Sequence, residues 1–365
     1  MLGILQIDQA WSQISGYFTD TPYENVFLVD SDGRLVREMS QPDWRDAMLL
    51  DFDHGSRIGE ILPFVDASLR ARPRSAVERA PAVAAALPHL NALLDRSGKV
   101  VEVTPRTTTA LRRPAACGLV MAGGLGRRLG ALTEHTPKPM LEVAGRPIAE
   151  HLVRSLVDNG VTDIVLSLCH LPDIIRTYFG DGSRFGCRIR YTVEERPLGT
   201  GGCLSLLPHD LEGPLVMVNG DVVTDLQFAR LIAFHERHGN DITMAIRPHA
   251  VTVPYGVVDH EHGAVTRIRE KPRMTYHINA AIYVLSERAR AQAPHGVRMD
   301  LPSLIEKVMP LDMRVAAFPL VETWIDVGSP VELQRARDNY EPARRPALML
   351  SHTAPAYARR AAASE

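Results

Sequence analysis

The stretch MAGGLGRRLGALTEHTPKPM, Met121 to Met140, sets Gly123, Gly124 and Gly126 just ahead of Arg128 and a short loop ahead of Lys138. Glycine backbone can come close to a polyanion, and its N–H groups can form an anion-binding nest. The Arg128 guanidinium adds a planar fork for phosphate oxygens. Lys138, held between two prolines in TPKPM, adds a second cation. Carboxylates follow far downstream. Asp221 closes the apolar run PLVMVNGD, and Asp326 lies in ETWIDVGSP. An acid at the carboxyl end of a buried strand suits Mg²⁺, a hard ion that takes a few carboxylates together with phosphate oxygens. The two aspartates are more than 100 residues apart, so only the fold can bring them together.

Three phosphate loops compete at 121–140. A P-loop requires G-x-x-x-x-G-K-[ST], which does not occur. A dinucleotide loop requires G-x-G-x-x-G, but Leu129 holds the third glycine position and Gly130 comes one residue late. The third reading uses the whole stretch, glycines and both cations, as a clamp for a triphosphate. ERPLGTGG, Glu195 to Gly202, is a second glycine loop whose Gly199, Gly201 and Gly202 would let backbone reach a flat base. The pairs His235/His238 and His260/His262 read as solvated histidines rather than metal ligands.

These residues need a scaffold. The runs CGLVM, DIVLSLC, RIRYTV and PLVMVNGD read as buried strands. Between them PIAEHLVRSLVDNG and PDIIRTYFG read as helices. In the first, Ile148, Leu152, Val153, Leu156 and Val157 share one face and Gly160 closes it. This is the βαβ rhythm of a mostly parallel sheet with helices on both faces. The chain has 365 residues, which favours two domains. A net charge of −2 argues against nucleic-acid binding. No apolar run is long enough to span a bilayer. The N-terminus has no basic start of a secretory signal, and four scattered cysteines without CxxC suggest reduced thiols, so a cytoplasmic location is expected.

Ahead of the βαβ pattern lies an internal repeat. NVFLVDSDGRLVREMS (25–40) matches LNALLDRSGKVVEVTP (90–105) at an offset of 65, so Asp30 falls on Asp95 and Gly33 on Gly98. Each copy is a strand, a D-x-x-G turn and a strand, preceded by a helical stretch, IDQAWSQISGYF or SAVERAPAVAAAL. RTTTALRRPAA, 106–116, is the linker, and the Ala-, Pro- and Arg-rich tail after Tyr340 is expected to be flexible.

GLVMAGGLGRRLGALTEHTPKPML resembles the signature of sugar-1-phosphate nucleotidylyltransferases, with Arg127 and Ala131 replacing a usual Thr and Pro. ERPLGTGG, VNGD, IREKP, INAAIYVL (with Ala281 for the usual glycine) and ETWIDVGSP follow in the order of that family. The resemblance implies an α/β fold: a Rossmann-like, mixed, mostly parallel nucleotidyltransferase domain over 117–340. Its implied reaction joins an NTP and a sugar 1-phosphate into an NDP-sugar and pyrophosphate. Arg128, Lys138 and Asp221 become catalytic. Ala122, Gly123, Gly124, Gly126, Glu194, Pro197, Gly199 and Thr200 would bind the nucleotide. Tyr255, Gly256, Glu270, Lys271, Asn279 and Trp324 would bind the sugar phosphate, and Asp221 with Asp326 would hold Mg²⁺. GTP is the first choice of nucleotide. Uridylyl, thymidylyl and cytidylyl transfer are alternatives, and a non-catalytic nucleotide sensor is a further one.

The repeat resembles a tandem cystathionine-β-synthase (CBS) pair, which implies a smaller α+β regulatory domain over 1–110, joined by 111–116. Ser40 and Asp43 in SQPD fit that family's ribose-binding pattern for an adenosine nucleotide, whereas the second copy lacks the acid. A purely structural or dimerising role is the alternative, and a homo-oligomer without membrane or nucleic-acid partners is expected.

Overall fold

The computed structural model describes residues 3–21, 23–50, 55–70, 89–95, 97–106 and 116–341. The helical stretch expected at 75–87, most of the linker and the tail after 341 lie outside the described residues.

Seven strands form the main sheet: β6 (Cys117–Met121), β9 (Asp163–Leu168), β10 (Arg188–Val193), β11 (Leu215–Asn219), β13 (Ile242–Thr252), β16 (Arg273–Leu285) and β17 (Val315–Pro319). Their order is β10-β9-β6-β11-β16-β13-β17. The first four are parallel; β16 runs antiparallel to both β11 and β13, and β17 is parallel to β13. The sheet is therefore mixed, with the parallel block built from the four runs that the apolar pattern marks as strands.

Those runs are continuous because the sheet is covered on both faces. Val120, Leu166, Val218 and Ile282 pack into one apolar cluster beneath the helices Ile148–Asp158, Pro172–Phe179 and Phe228–His238. Their neighbours Leu119, Val165, Met217 and Tyr283 point the opposite way, onto Leu301, Leu304 and Val308. The Ile148–Asp158 helix closes in a Schellman motif: Val161 N–H bonds the Leu156 carbonyl and Gly160 N–H that of Val157, both at 2.9 Å.

Two short strands complete the frame. β12 (Val222–Thr224) pairs antiparallel with β18 (Trp324–Asp326). A hairpin, β14 (Val257–Glu261) with β15 (Ala264–Arg269), is largely exposed.

The N-terminal region has its own small core around Trp11, Ile14, Leu28, Trp44 and Ile58. β1 (Ile4–Gln6), the Ser12–Asp20 helix, β2 (Asn25–Val29), β3 (Leu35–Ser40) and the Gln41–Ala47 helix follow in order, with β1-β2-β3 as one sheet. A second hairpin, β4 (His89–Leu94) with β5 (Val100–Arg106), repeats β2–β3. The two copies meet symmetrically at their turns. Leu35 N–H donates to the Gly98 carbonyl and Val100 N–H to that of Gly33, at 2.9 and 3.0 Å. Every atom in that pair maps onto its counterpart 65 residues on, as expected of a true repeat folded about a local two-fold axis.

Candidate active site

The carboxyl ends of the parallel strands open into one cleft. It is lined by Met121, Gly123, Gly124, Lys138, Pro139, Glu194, Pro197, Gly199, Thr200, Asn219 and Asp221. Met121, Glu194 and Asn219 mark the ends of β6, β10 and β11, where ligands gather in open α/β sheets.

The glycine loop does not lead into an α-helix. It enters a 3₁₀ segment, Arg127–Thr133, broken at Gly130, so the dinucleotide device of a helix N-terminus is not built here. Gly126 takes φ +63°, and a Cβ there would lie 2.7 Å from the Thr133 methyl group. Thr133 in turn donates to the carbonyls of Gly126 and Gly130 at 3.0 and 3.1 Å, pinning the loop. Gly124 faces open space. Ala122 is buried and its N–H is used by the Ser167 carbonyl, so it supports the loop rather than lining the cleft.

ERPLGTGG is held against residues 297–300. Gly201 and Gly202 N–H both donate to the Met299 carbonyl, and the Thr200 hydroxyl accepts from Leu301 N–H at 2.8 Å. The N–H groups of those two glycines are therefore taken up in packing the loop against this segment, while Gly199 and Thr200 line the cleft. Glu194 is buried at the base of the loop: one carboxylate oxygen accepts from the Ser167 hydroxyl (3.0 Å), the other from Leu198 N–H (2.7 Å).

Lys138, nearly buried, forms an ion pair with Asp221. The β12–β18 ribbon brings in the second carboxylate, because Val222 pairs with Asp326. Burial, then Asp221, pushes the Asp326 carboxyl above its ordinary range, while Lys138 and Arg128 pull the other way. Arg128 is exposed outside the cleft lining, and its guanidinium lies beside Gly328, 3.1 Å from where a Cβ would stand. Two crowded carboxylates, hard oxygen donors whose repulsion a cation would relieve, fit a divalent metal such as Mg²⁺. Among the described residues, no group of three or more His, Cys, Asp or Glu forms a fuller cage.

The sugar-side candidates separate into two groups. Tyr255, Gly256, Glu270 and Lys271 sit together at the open end of the exposed hairpin, with Glu270 beside Gly256. None of these lines the cleft. Asn279 and Trp324 lie on β16 and β18. Asn279 donates to the Tyr283 hydroxyl at 2.6 Å, and the Trp324 indole N–H donates to the Ala280 carbonyl at 2.8 Å.

Arg247 lies outside every motif of the sequence. Its guanidinium packs over the Trp324 ring at 5.3 Å and donates to the Trp324 carbonyl. Met121, Pro139 and Asn219 also line the cleft; each lies inside a motif stretch without having been singled out.

The histidine reading needs correction. His260 and His262 are exposed, as expected, but His235 and His238 are buried. His235 Nδ1 lies 3.0 Å from the Thr243 hydroxyl, and burial pushes its pKa down to about 4. His238 faces Asp46 of the N-terminal region at 3.3 Å. Both belong to the inner face of their helix.

Residue types, strand ends and cleft together define a nucleotide-handling α/β domain. Residues 117–342 match the family described as Nucleotidyl transferase, and the chain belongs to that family. Among curated proteins it is similar to the mannose-1-phosphate guanyltransferases of Gibberella zeae (36% identity) and Hypocrea jecorina (34%), each over 58% of this chain and 61% of the relative. The chain thus spans about three-fifths of the length of these relatives. Among solved structures, HddC from Yersinia pseudotuberculosis is 28% identical, with a TM-score of 0.48, over 61% of this chain and 99% of that one. Among the described residues, no helix is long and apolar enough to cross a membrane.

Proposed function

We propose that the chain transfers a nucleotidyl group from an NTP to a sugar 1-phosphate, releasing pyrophosphate, with GTP as the nucleotide. The observation that carries this reading is the convergence of Gly124, Lys138 and Asp221 at one strand-end cleft, with Asp326 brought beside Asp221 by the β12–β18 pairing. The guanyltransferase names of its relatives support GTP, and mannose 1-phosphate is the first sugar phosphate to try.

The sugar-phosphate oxygen that attacks the α-phosphorus is already ionised near neutral pH, so no general base is needed. Catalysis then rests on alignment and on neutralising charge. On this reading Lys138, in the cleft wall, would neutralise charge at the transferring phosphate, and Arg128 would meet the departing pyrophosphate. Asp221 and Asp326 would hold Mg²⁺, which when bound supplies charge neutralisation at the phosphates. Tyr255, Gly256, Glu270 and Lys271 would grip the nucleophile, with Asn279 and Trp324 on its sugar.

The region 1–110 we read as a CBS-like unit tethered to the 117–340 catalytic domain. The hydrogen bonds related by 65 residues support the repeat. At the adenosine-nucleotide pattern, the Ser40 hydroxyl accepts from Asp43 N–H and caps the Gln41–Ala47 helix, and the Asp43 carboxylate pairs with Arg237 at 2.9 Å. That engagement favours a structural tether over a nucleotide site.

The test is a pyrophosphate-release screen of five NTPs against a panel of sugar 1-phosphates. Release with GTP and mannose 1-phosphate is the expected result. Release with no combination would overturn the reading. Calorimetric titration of AMP, ADP and ATP decides the N-terminal role, with saturable heat contradicting a pure tether.

A further inference from the structure

We propose that Arg45, in the N-terminal region, is a positioning residue for the transfer site, holding the segment that carries Trp324 and Asp326 into place. The inference rests on the transferase reading above.

Arg45 is fully buried, yet it belongs to the Gln41–Ala47 helix, more than 70 residues before the first strand of the catalytic sheet. Its guanidinium donates to the Pro319 carbonyl and pairs with Glu322. It also stacks over the Phe318 ring, 4.4 Å from the centroid. Turned with its oxygen toward Arg45, the Gln41 amide accepts from the same guanidinium. Val321 packs into the N-terminal core beside the Trp11 and Trp44 cluster. The turn from Phe318 to Glu322 is therefore held from both sides: Phe318 and Leu320 pack into the catalytic core, while the Pro319 carbonyl, Val321 and Glu322 are engaged by the N-terminal region.

What leaves that turn is the metal strand. The Thr323 carbonyl accepts from the Thr224 hydroxyl and from Asp225 N–H, and β18 begins at the next residue. Asp326 lies four positions beyond Glu322. β18 is only three residues long and, among the described residues, pairs with one other short strand, β12. So brief a ribbon gets little hold from its own ladder, and a fixed entry point matters for where its carboxylate stands. Further ion pairs, Arg230 with Glu24 and Arg237 with Asp43, hold the same seam.

The nucleotide side of the cleft is built differently. Gly124, Glu194 and Thr200 hang from β6 and β10, and neither strand pairs with β17, which leads into the Arg45 turn. Loss of Arg45 should therefore act on turnover and metal requirement while sparing nucleotide KM. A merely structural role would move all of these together.

The experiment uses the full chain. Arg45→Met alone strands the buried Glu322 charge and can unfold the protein. The double variant Arg45→Met/Glu322→Met leaves no charge of this pair unpaired and is the one to measure. Three readouts are taken: hydrogen exchange of the 320–327 amides, the kcat and KM split, and the Mg²⁺ concentration for half-maximal rate.

The expected result is faster exchange at 320–327 with β6 and β11 unchanged. Turnover should fall by about tenfold to hundredfold, the Mg²⁺ requirement should rise, and the NTP KM should stay within about twofold. Arg45→Lys should recover part of the loss. Wild-type exchange at 320–327, or equal loss of protection in every strand, overturns the proposal. If the wild-type chain releases no pyrophosphate from any substrate pair, the transferase reading fails. Exchange at 320–327 and Mn²⁺ binding measured by paramagnetic resonance then still decide whether Arg45 positions Asp326.

Discussion

Val222 and Asp326 are direct partners in the β12–β18 ribbon, and Val327 N–H donates to the Asp221 carbonyl at 3.0 Å. This pairing joins two acids more than 100 residues apart in sequence. It also sets up a conflict, because burial and the Asp221 charge both disfavour an ionised Asp326.

That conflict has a sign. A carboxyl whose folded pKa lies above its unfolded value binds its proton more tightly in the native state. Its contribution is complete below about pH 4, the unfolded value, and is lost as pH rises through the raised folded value. At neutral pH, Asp326 should therefore cost stability in metal-free protein. Asp326→Asn should raise the melting temperature in EDTA at pH 7 and abolish the extra stabilisation by Mg²⁺. Calorimetric melts with and without the ion check both, and a lower melting point in EDTA would contradict the charge conflict.

Asp221→Asn and Lys138→Ala remove the central ion pair of the cleft one member at a time. Each should lower the rate of pyrophosphate release by at least about 10²-fold, since on the proposed reading each deletes a charge that would act on the reacting phosphates. Circular dichroism should stay native, because the pair retains partial exposure, 10% for the lysine side chain and 20% for the aspartate. Near-normal release from either variant would remove it from the catalytic set.

The cleft was largely legible in the sequence because its residues sit in short local motifs. Gly124, Glu194, Thr200 and Asp221 lie at strand ends or glycine turns that patterning marks, and Lys138 sits between the two prolines of TPKPM. Arg45, Arg247 and His238 were not legible, because their meaning comes from partners 77 to 277 residues distant. The Phe228–His238 helix shows why. Its inner face buries Arg230, His235 and His238, which hydropathy reads as a wet surface, and Arg230 and His238 face acids of the N-terminal region. Polarity seen in the chain turned out to be polarity of a buried seam.

His235, on the same inner face but turned onto Thr243 of β13, has a pH signature of its own. Its pKa is depressed to about 4 by burial, against an ordinary 6.5. The native state thus binds this proton less tightly, and the stabilisation is present above pH 6.5 and lost as pH falls toward 4. Fully expressed, the difference amounts to about 3 kcal/mol. Urea midpoints measured from pH 7 to pH 4 should fall, and His235→Gln should flatten part of that limb. An acid limb equally steep in the variant would show that other groups carry it.

Ala281 occupies the position where the family signature has glycine, and the backbone shows the cost. Its φ is +56°, inside a bulge where β16 gains residues against Met244 and Ile246 of β13. A left-handed alanine costs about 1–2 kcal/mol, and the bulge tolerates it while presenting the Ala280 carbonyl to the Trp324 indole at 2.8 Å. Bulges of this kind commonly re-aim a strand beside a site. Ala281→Gly would relieve the strain but free the unfolded chain, offsetting about 0.5–1 kcal/mol of the gain. The expected outcome is a net stabilisation of about 0.5–1 kcal/mol in urea titrations, with the sugar-phosphate KM unchanged because the Ala280 carbonyl keeps its place. A loss of stability would mean that the alanine methyl contributes packing worth more than the strain it imposes.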